Sequence, residues 1–272
     1  MSCQIDTSDL ATFFIELDFI GTWTDARRAV FQSAADRWSE VITHVPCGGT
    51  IEFPAGRLLI SATLEEIDGP GTVVGQARPS AVWRACNTIS AEGEMSFDIE
   101  DIDGLENDGT FEGVILHEMG HVIGVGTLWG ANFGECTTCR QNNDPSWTCP
   151  AAVATYADIG GSGDEIVELD GATGTSCSHL DEVIFDDELM TGFVGNTALI
   201  MSKMTAAILE DLAYIVDTSV VDAYTLPSER GASLSVEATP AVLNDTAIDV
   251  SIRVLDDDGD VFEEVDGIGI IF

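Results

Sequence analysis

Residues 113–129 read GVILHEMGHVIGVGTLW. Val114, Ile115, Leu116, Val122 and Ile123 are apolar around three polar side chains, His117, Glu118 and His121. Residues four apart lie one turn apart on the same face of a helix. A helix over about 110–123 therefore lets the two imidazoles aim their nitrogens at one Zn²⁺ at ~2.0–2.1 Å. Glu118, one step around the helix, can reach a water on that metal without ligating it. A chance origin is disfavoured, because the whole chain has only 4 histidines. Burying two of them and a glutamate among apolar neighbours would also be costly unless they had a function.

Zinc in a catalytic site takes three protein ligands and keeps a fourth position open. In the commonest metzincin peptidase pattern the third histidine follows the second by six residues, where this chain has Thr127. Gly124 stands where such helices break. The remaining histidines are His44 and His179. His44 falls at the end of an earlier predicted helix and reads as a surface or helix-terminus residue. His179 opens a stretch, HLDEVIFDDELMTG, in which Met190 follows eleven residues later. A methionine in a tight turn beneath the metal is a second mark of metzincins.

Upstream, Phe13, Ile15, Leu17 and Phe19 alternate as in a half-buried strand. Thr24 and Asp25 cap a predicted helix that runs to about Ile42, with Val30, Phe31, Ala34, Trp38 and Val41 inward. Strands are expected near 57–66, 72–76 and 94–99, with a turn at Asp68-Gly69-Pro70-Gly71. The strand at 94–99 is a candidate edge for pairing with an extended peptide, or an ordinary core strand. Downstream, residues 125–178 form a loop-rich, cysteine-containing insertion. A helix over about 202–215 is expected, with Ser202 as N-cap. The fold class is thus α+β: a twisted mixed sheet and an active-site helix, with a loop-rich C-terminal part, in a domain over residues 1–225. Residues 232–272 alternate as short strands and read as an incomplete β-sandwich-like, Ig-like segment, unless those strands add to the first domain.

The segments VILHEMGHVIGVGTLW (114–129), His179 through Met190, SKMTAAILEDLAY (202–214) and the helix ARRAVFQSAADRWSEVI (26–42) together resemble the leishmanolysin-like metallopeptidases, in which a long insertion delays the third histidine. The resemblance implies zinc ligation by His117, His121 and His179, catalysis by Glu118 and a Met-turn at Met190. It also implies a secreted or cell-surface endopeptidase, hydrolysing peptide bonds by Glu-assisted attack of a zinc-bound water. The family's long maturation segment with its inhibitory cysteine is not recognisable here. The rival expectation is a catalytically weak or inactive extracellular adhesion or matrix module that keeps the fold.

Composition narrows the partners. With 48 acidic against 10 basic residues the net charge is −38, which argues against nucleic acid and against an anionic membrane surface. The acidity suits a solvated surface in a salty medium, or divalent-cation sites. Asp256-Asp257-Asp258-Gly259-Asp260 resembles part of a Ca²⁺ loop but lacks the glutamate at the twelfth position, and a hairpin turn is the better reading. No apolar run is long enough for a transmembrane segment. The N-terminus shows no signal peptide, so the natural start is expected upstream. Of 7 cysteines, Cys136, Cys139, Cys149 and Cys177 crowd the insertion. They are expected as disulfides of an extracellular protein, with a structural zinc site as the other possibility and Cys3 as the unpaired residue. A protein or peptide is the expected substrate, and a monomer is assumed.

Overall fold

The computed structural model describes residues 10–46, 56–71, 73–84, 89–130, 133–171, 175–192, 199–227, 246–256 and 258–271. The N-terminal alternation forms β1 (Ala11–Thr12) and β2 (Phe14–Ile20), with Phe13 and Ile15 buried and Phe14, Glu16, Asp18 and Ile20 exposed. The first helix, α1 (Asp25–Val41), begins at Thr24, whose hydroxyl accepts the Arg27 N–H. Its inward stripe is Phe31, Ala34, Ala35, Trp38 and Val41. There follow β3 (Ile42–Val45), β4 (Arg57–Glu65), β5 (Gly75–Trp83) and β6 (Ile89–Asp98), then α2 (Ile102–Asp108) and α3 (Phe111–Ile123). The insertion holds α4 (Cys139–Asn142) and α5 (Pro150–Asp158). Beyond it come α6 (Glu182–Phe185), α7 (Lys203–Asp211), β7 (Ile215–Val216), β8 (Thr246–Leu255) and β9 (Val261–Ile271).

The main sheet has the order β2-β4-β6-β5-β8-β9, and a small second sheet has the order β1-β3-β7. β2 and β4 are parallel, with α1 in the connection between them, and β4 and β6 are also parallel, with β5 in the connection and running antiparallel to β6. α1 packs on β2 and α3, and α3 packs on β5 and β6. The shared core is an edge-to-face aromatic cluster: Phe31 of α1 meets Trp23, Phe97 of β6 and Phe111 of α3. That cluster fixes the site-bearing helix against both the sheet and α1.

Two expectations change. The strand expected at 94–99 is not an edge: β6 is hydrogen-bonded to β4 on one side and β5 on the other. No free edge remains there for a peptide to pair with. The strand expected at 72–76 begins at Gly75 and runs to Trp83. Of the two readings of the C-terminal stretch, its described strands take the second. β8 pairs with β5 in parallel at Ala81–Trp83, and β9 pairs with β5 at Gln76 and Ala77. Val82, Leu128, Ile252 and Val254 form a small apolar cluster under that junction. Arg253 closes it with an ion pair to Glu92, 2.7 Å. A separate Ig-like sandwich is not seen among the described residues, and 228–245 lie outside them.

Candidate metal centre

α3 is buried almost all round. Val114, Ile115, Met119, Val122 and Ile123 are inaccessible, and so are His117, Glu118 and His121. The Trp38 indole N–H donates to the Leu116 carbonyl at 3.0 Å, which ties the helix to α1. A helix end leaves carbonyls without intrahelical partners, and here side chains serve two of them. The Tyr214 hydroxyl donates to the Ile123 carbonyl at 2.8 Å, and the Thr127 hydroxyl donates to the His121 carbonyl at 2.6 Å. Gly124 closes the helix with φ 135°, a backbone that favours glycine.

Past the helix the chain meets the segment that returns to it. A Cβ on Gly126 would lie 2.1 Å from the Ser178 carbonyl oxygen, so only glycine lets the two strands of chain approach this closely. Several contacts hold the returning segment. The Glu168 N–H donates to the His179 carbonyl (3.0 Å) and the Cys177 N–H to the Glu168 carbonyl (2.7 Å). The Trp129 indole donates to the Cys177 carbonyl, and Arg140 donates to the Ser178 hydroxyl. The Cys139–Cys177 disulfide fixes the same segment, and Cys136–Cys149 staples the insertion beside it. The four clustered cysteines are therefore disulfides and not a second zinc site. Cys3, Cys47 and Cys86 lie outside the described residues.

The result is a triangle of imidazoles. His117, His121 and His179 place their Nε2 atoms 3.0, 3.1 and 3.2 Å apart. All three residues are fully buried. Each Nδ1 faces a backbone carbonyl: Leu189 for His117 (2.6 Å), Val125 for His121 (2.8 Å) and Thr175 for His179 (3.1 Å). A carbonyl only accepts, so each Nδ1 carries its ring's proton, and three Nε2 lone pairs converge on one point. Three facing lone pairs repel unless a cation lies among them. For nitrogen ligands at ~2.0–2.1 Å in a tetrahedral shell the N···N edge is about 3.3 Å, close to the separations seen. Burial pushes the His117 imidazole down to about 3 and His121 well below its usual value, with the neighbouring imidazoles adding to the effect. Both are thus kept in the neutral form that ligates. The donor set fits zinc, and among the described residues it is the cluster of three or more such groups able to hold a metal.

Beneath the triangle lies the turn at Glu188–Thr191. A Cβ added to Gly120 would lie 2.6 Å from Met190 Sδ, so the thioether packs directly on the helix between the two histidines. The Leu180 N–H donates to the Met190 carbonyl at 2.9 Å, which ties the turn to the residue after His179.

His44 is not part of this cluster: it sits in β3, paired with Thr12 and Ile215. The acidic turn at 256–260 is a hairpin turn between β8 and β9, in which the Asp256 carboxylate accepts the N–H groups of Asp258 and Asp260. Calcium is not supported there. Sequence reasoning missed Gly126, Glu168, Glu188 and Tyr214. Only Gly126 left a signal, as a second glycine two residues beyond the expected break.

No curated protein matches the chain significantly. Among family comparisons, the Leishmanolysin family, Peptidase_M8, matches residues 77–239, from β5 through α3, the insertion, the His179 and Met190 segments and α7. This span covers more than half of the chain and contains the whole imidazole triangle, and the chain belongs to the leishmanolysin family of zinc-dependent metallopeptidases.

Proposed function

We propose that this protein is an extracellular zinc-dependent endopeptidase in which His117, His121 and His179 hold one metal and Glu118 is the catalytic acid–base. The observation that carries the reading is the convergence of three Nε2 atoms whose rings each turn Nδ1 to a backbone carbonyl. A zinc ion there supplies a Lewis acid and lowers the pKa of a bound water from ~16 toward ~7.

The protein's own residues do the rest. The three carbonyl partners fix each ring's tautomer and direction, so no reorganisation is needed to receive the metal. Glu118 follows His117 on the same buried helix and has no access to bulk solvent. It takes a proton from the attacking water and returns it to the leaving amine. No covalent acyl-enzyme is needed. The Met190 thioether against Gly120 gives the triangle an apolar floor. The two insertion disulfides suit an oxidising compartment, and the acidic surface suits solvation there.

Metal content and cleavage of an unstructured protein test the reading together. Wild type should carry one zinc per chain and cleave, and a chelator should abolish cleavage. Glu118→Gln should keep the zinc and lose about a hundred- to ten-thousand-fold in kcat. Turnover undiminished in Glu118→Gln would overturn the role of Glu118. Zinc bound without cleavage by wild type would instead favour a non-catalytic module.

A further inference from the structure

Glu188 is fully buried, two residues before Met190, and no cationic side chain meets it among the described residues. Its carboxylate is met by donors alone. Oε2 accepts the Met190 N–H at 2.7 Å. Oε1 accepts the Ser202 N–H at 3.3 Å, the Ser202 hydroxyl at 2.7 Å and the Thr205 hydroxyl at 2.6 Å. The Ser202 hydroxyl also accepts the Met204 N–H at 2.9 Å, so its single proton is left for Glu188. Burial raises the pKa of the Glu188 carboxyl, and these hydrogen bonds, with the N-terminus of the nine-residue α7, work against that rise.

Main-chain bonds continue the same clamp. The Leu189 N–H donates to the Ile200 carbonyl at 2.8 Å, and the Ile200 N–H to the Asp187 carbonyl at 2.9 Å. What the clamp holds in place is the Leu189 carbonyl, 2.6 Å from His117 Nδ1, and the Met190 thioether under Gly120.

We propose that Glu188 is a positioning residue of the metal centre: by joining the 188–191 turn to α7 it fixes the Leu189 carbonyl that sets the tautomer and direction of His117. The inference rests on the reading of His117 as a ligand, and it extends the site one layer outward, to Ser202 and Thr205. Direct hydrogen-bond partners of ligating histidines are worth about 10- to 100-fold in metal affinity, and Glu188 acts on such a partner, the Leu189 carbonyl.

The test compares Glu188→Gln with Asp98→Asn in the full chain. Asp98 is also buried and also held by four donors, the N–H groups of Ile67, Asp68, Gly69 and Glu100, but it closes the end of β6 onto the 67–69 turn, which carries no part of the centre. Both variants should lower Tm. Glu188→Gln should raise the zinc Kd, read by chelator competition, about tenfold, the lower end of what a direct partner is worth, whereas Asp98→Asn should leave it within twofold. In metal-free protein, the His117 Nδ1–H proton resonance should shift or broaden in Glu188→Gln and stay in place in Asp98→Asn. If Glu188→Gln does not fold, Thr205→Val removes a single donor, and a several-fold rise in Kd is expected. A zinc Kd within twofold of wild type in the folded glutamate variant, or in Thr205→Val should that variant be used, overturns the inference. Equal weakening in Asp98→Asn overturns it too. Should wild type bind no zinc, the metal reading fails by itself, and the resonance of His117 still decides whether Glu188 orients the ring.

Discussion

The Thr127 hydroxyl lies 2.6 Å from the His121 carbonyl oxygen and donates to it. Thr127 stands where the compact form of this site has its third histidine, and in this chain that position has a different role, satisfying a carbonyl of the last turn of α3. The two roles exclude each other. A side chain that turns back to cap the helix does not join the imidazole cluster, and the third ring of that cluster is His179, 58 residues beyond His121.

Thr127→Val keeps the shape and removes the donor. The His121 carbonyl is then left buried without that partner, at a cost of about 1–3 kcal/mol. For a chain of this size Tm should fall by roughly 3–8 °C. The His121 ring is held separately by the Val125 carbonyl, so zinc content should stay at wild-type level. Calorimetry and metal analysis of the same sample check both halves, and loss of zinc with an unchanged Tm would contradict the assignment.

His179→Ala should raise the zinc Kd by more than about 100-fold, beyond what loss of an outer-layer partner costs. His44→Ala should not change it, since His44 sits in β3 between Thr12 and Ile215. Chelator competition on the two variants separates a ligand from a bystander. An unchanged Kd in His179→Ala would point to another third ligand.

The helices α1, α3 and α7 and the pairing of His117 with His121 are legible in the sequence because their signals are local. Thr24 and Ser202 cap where a short polar side chain precedes an apolar periodicity, and His117 and His121 meet because four residues make about one turn. What the sequence hides is non-local. The 94–99 stretch alternates like a strand with one wet face, and Glu94 is indeed exposed, but whether a strand is an edge depends on its neighbours. β5 runs to Trp83, beyond its local pattern, and its second half is buried on both faces and carries a bulge around Pro79 and Ala81, so no alternation marks it. α2 is hidden in an acidic run. Its Asp103 and Glu106 find their partner in Arg27 of α1, outside any local window. Glu188 is one acid among the many of a chain with net charge −38, and nothing in DDELMTG tells a buried carboxylate from a solvated one.

Glu182 makes stability fall as pH rises. Burial, with the nearby Asp186 and Glu168 charges, pushes its carboxyl up to about 7 in the folded protein. The native state then holds a proton that the unfolded chain releases near pH 4.5. Stability from this group is fully present below about 4.5 and is lost as pH rises through about 7. Glutamine mimics the protonated form at every pH. Glu182→Gln should therefore melt with wild type near pH 4.5 and above wild type at pH 8. A Tm difference that is constant across the range would show that the carboxyl does not titrate between the two states.

The two disulfides should differ in effect, because they close different lengths of chain and hold different things. Cys139–Cys177 spans 38 residues and Cys136–Cys149 spans 13. The chain-entropy model gives about 4 and about 3 kcal/mol for loops of these lengths. Stability alone therefore separates the two only weakly. Position separates them strongly, since Cys177 is two residues from His179 while Cys149, the nearer of the other pair, is 30 residues from it in sequence. Replacing Cys139 and Cys177 together by serine should raise the zinc Kd at least tenfold. Replacing Cys136 and Cys149 should lower Tm and leave the Kd within about threefold of wild type, an effect of well under 1 kcal/mol on binding. Equal zinc affinity in the two double variants would show that hydrogen bonds from Glu168 and Trp129 hold His179 without help from the disulfide.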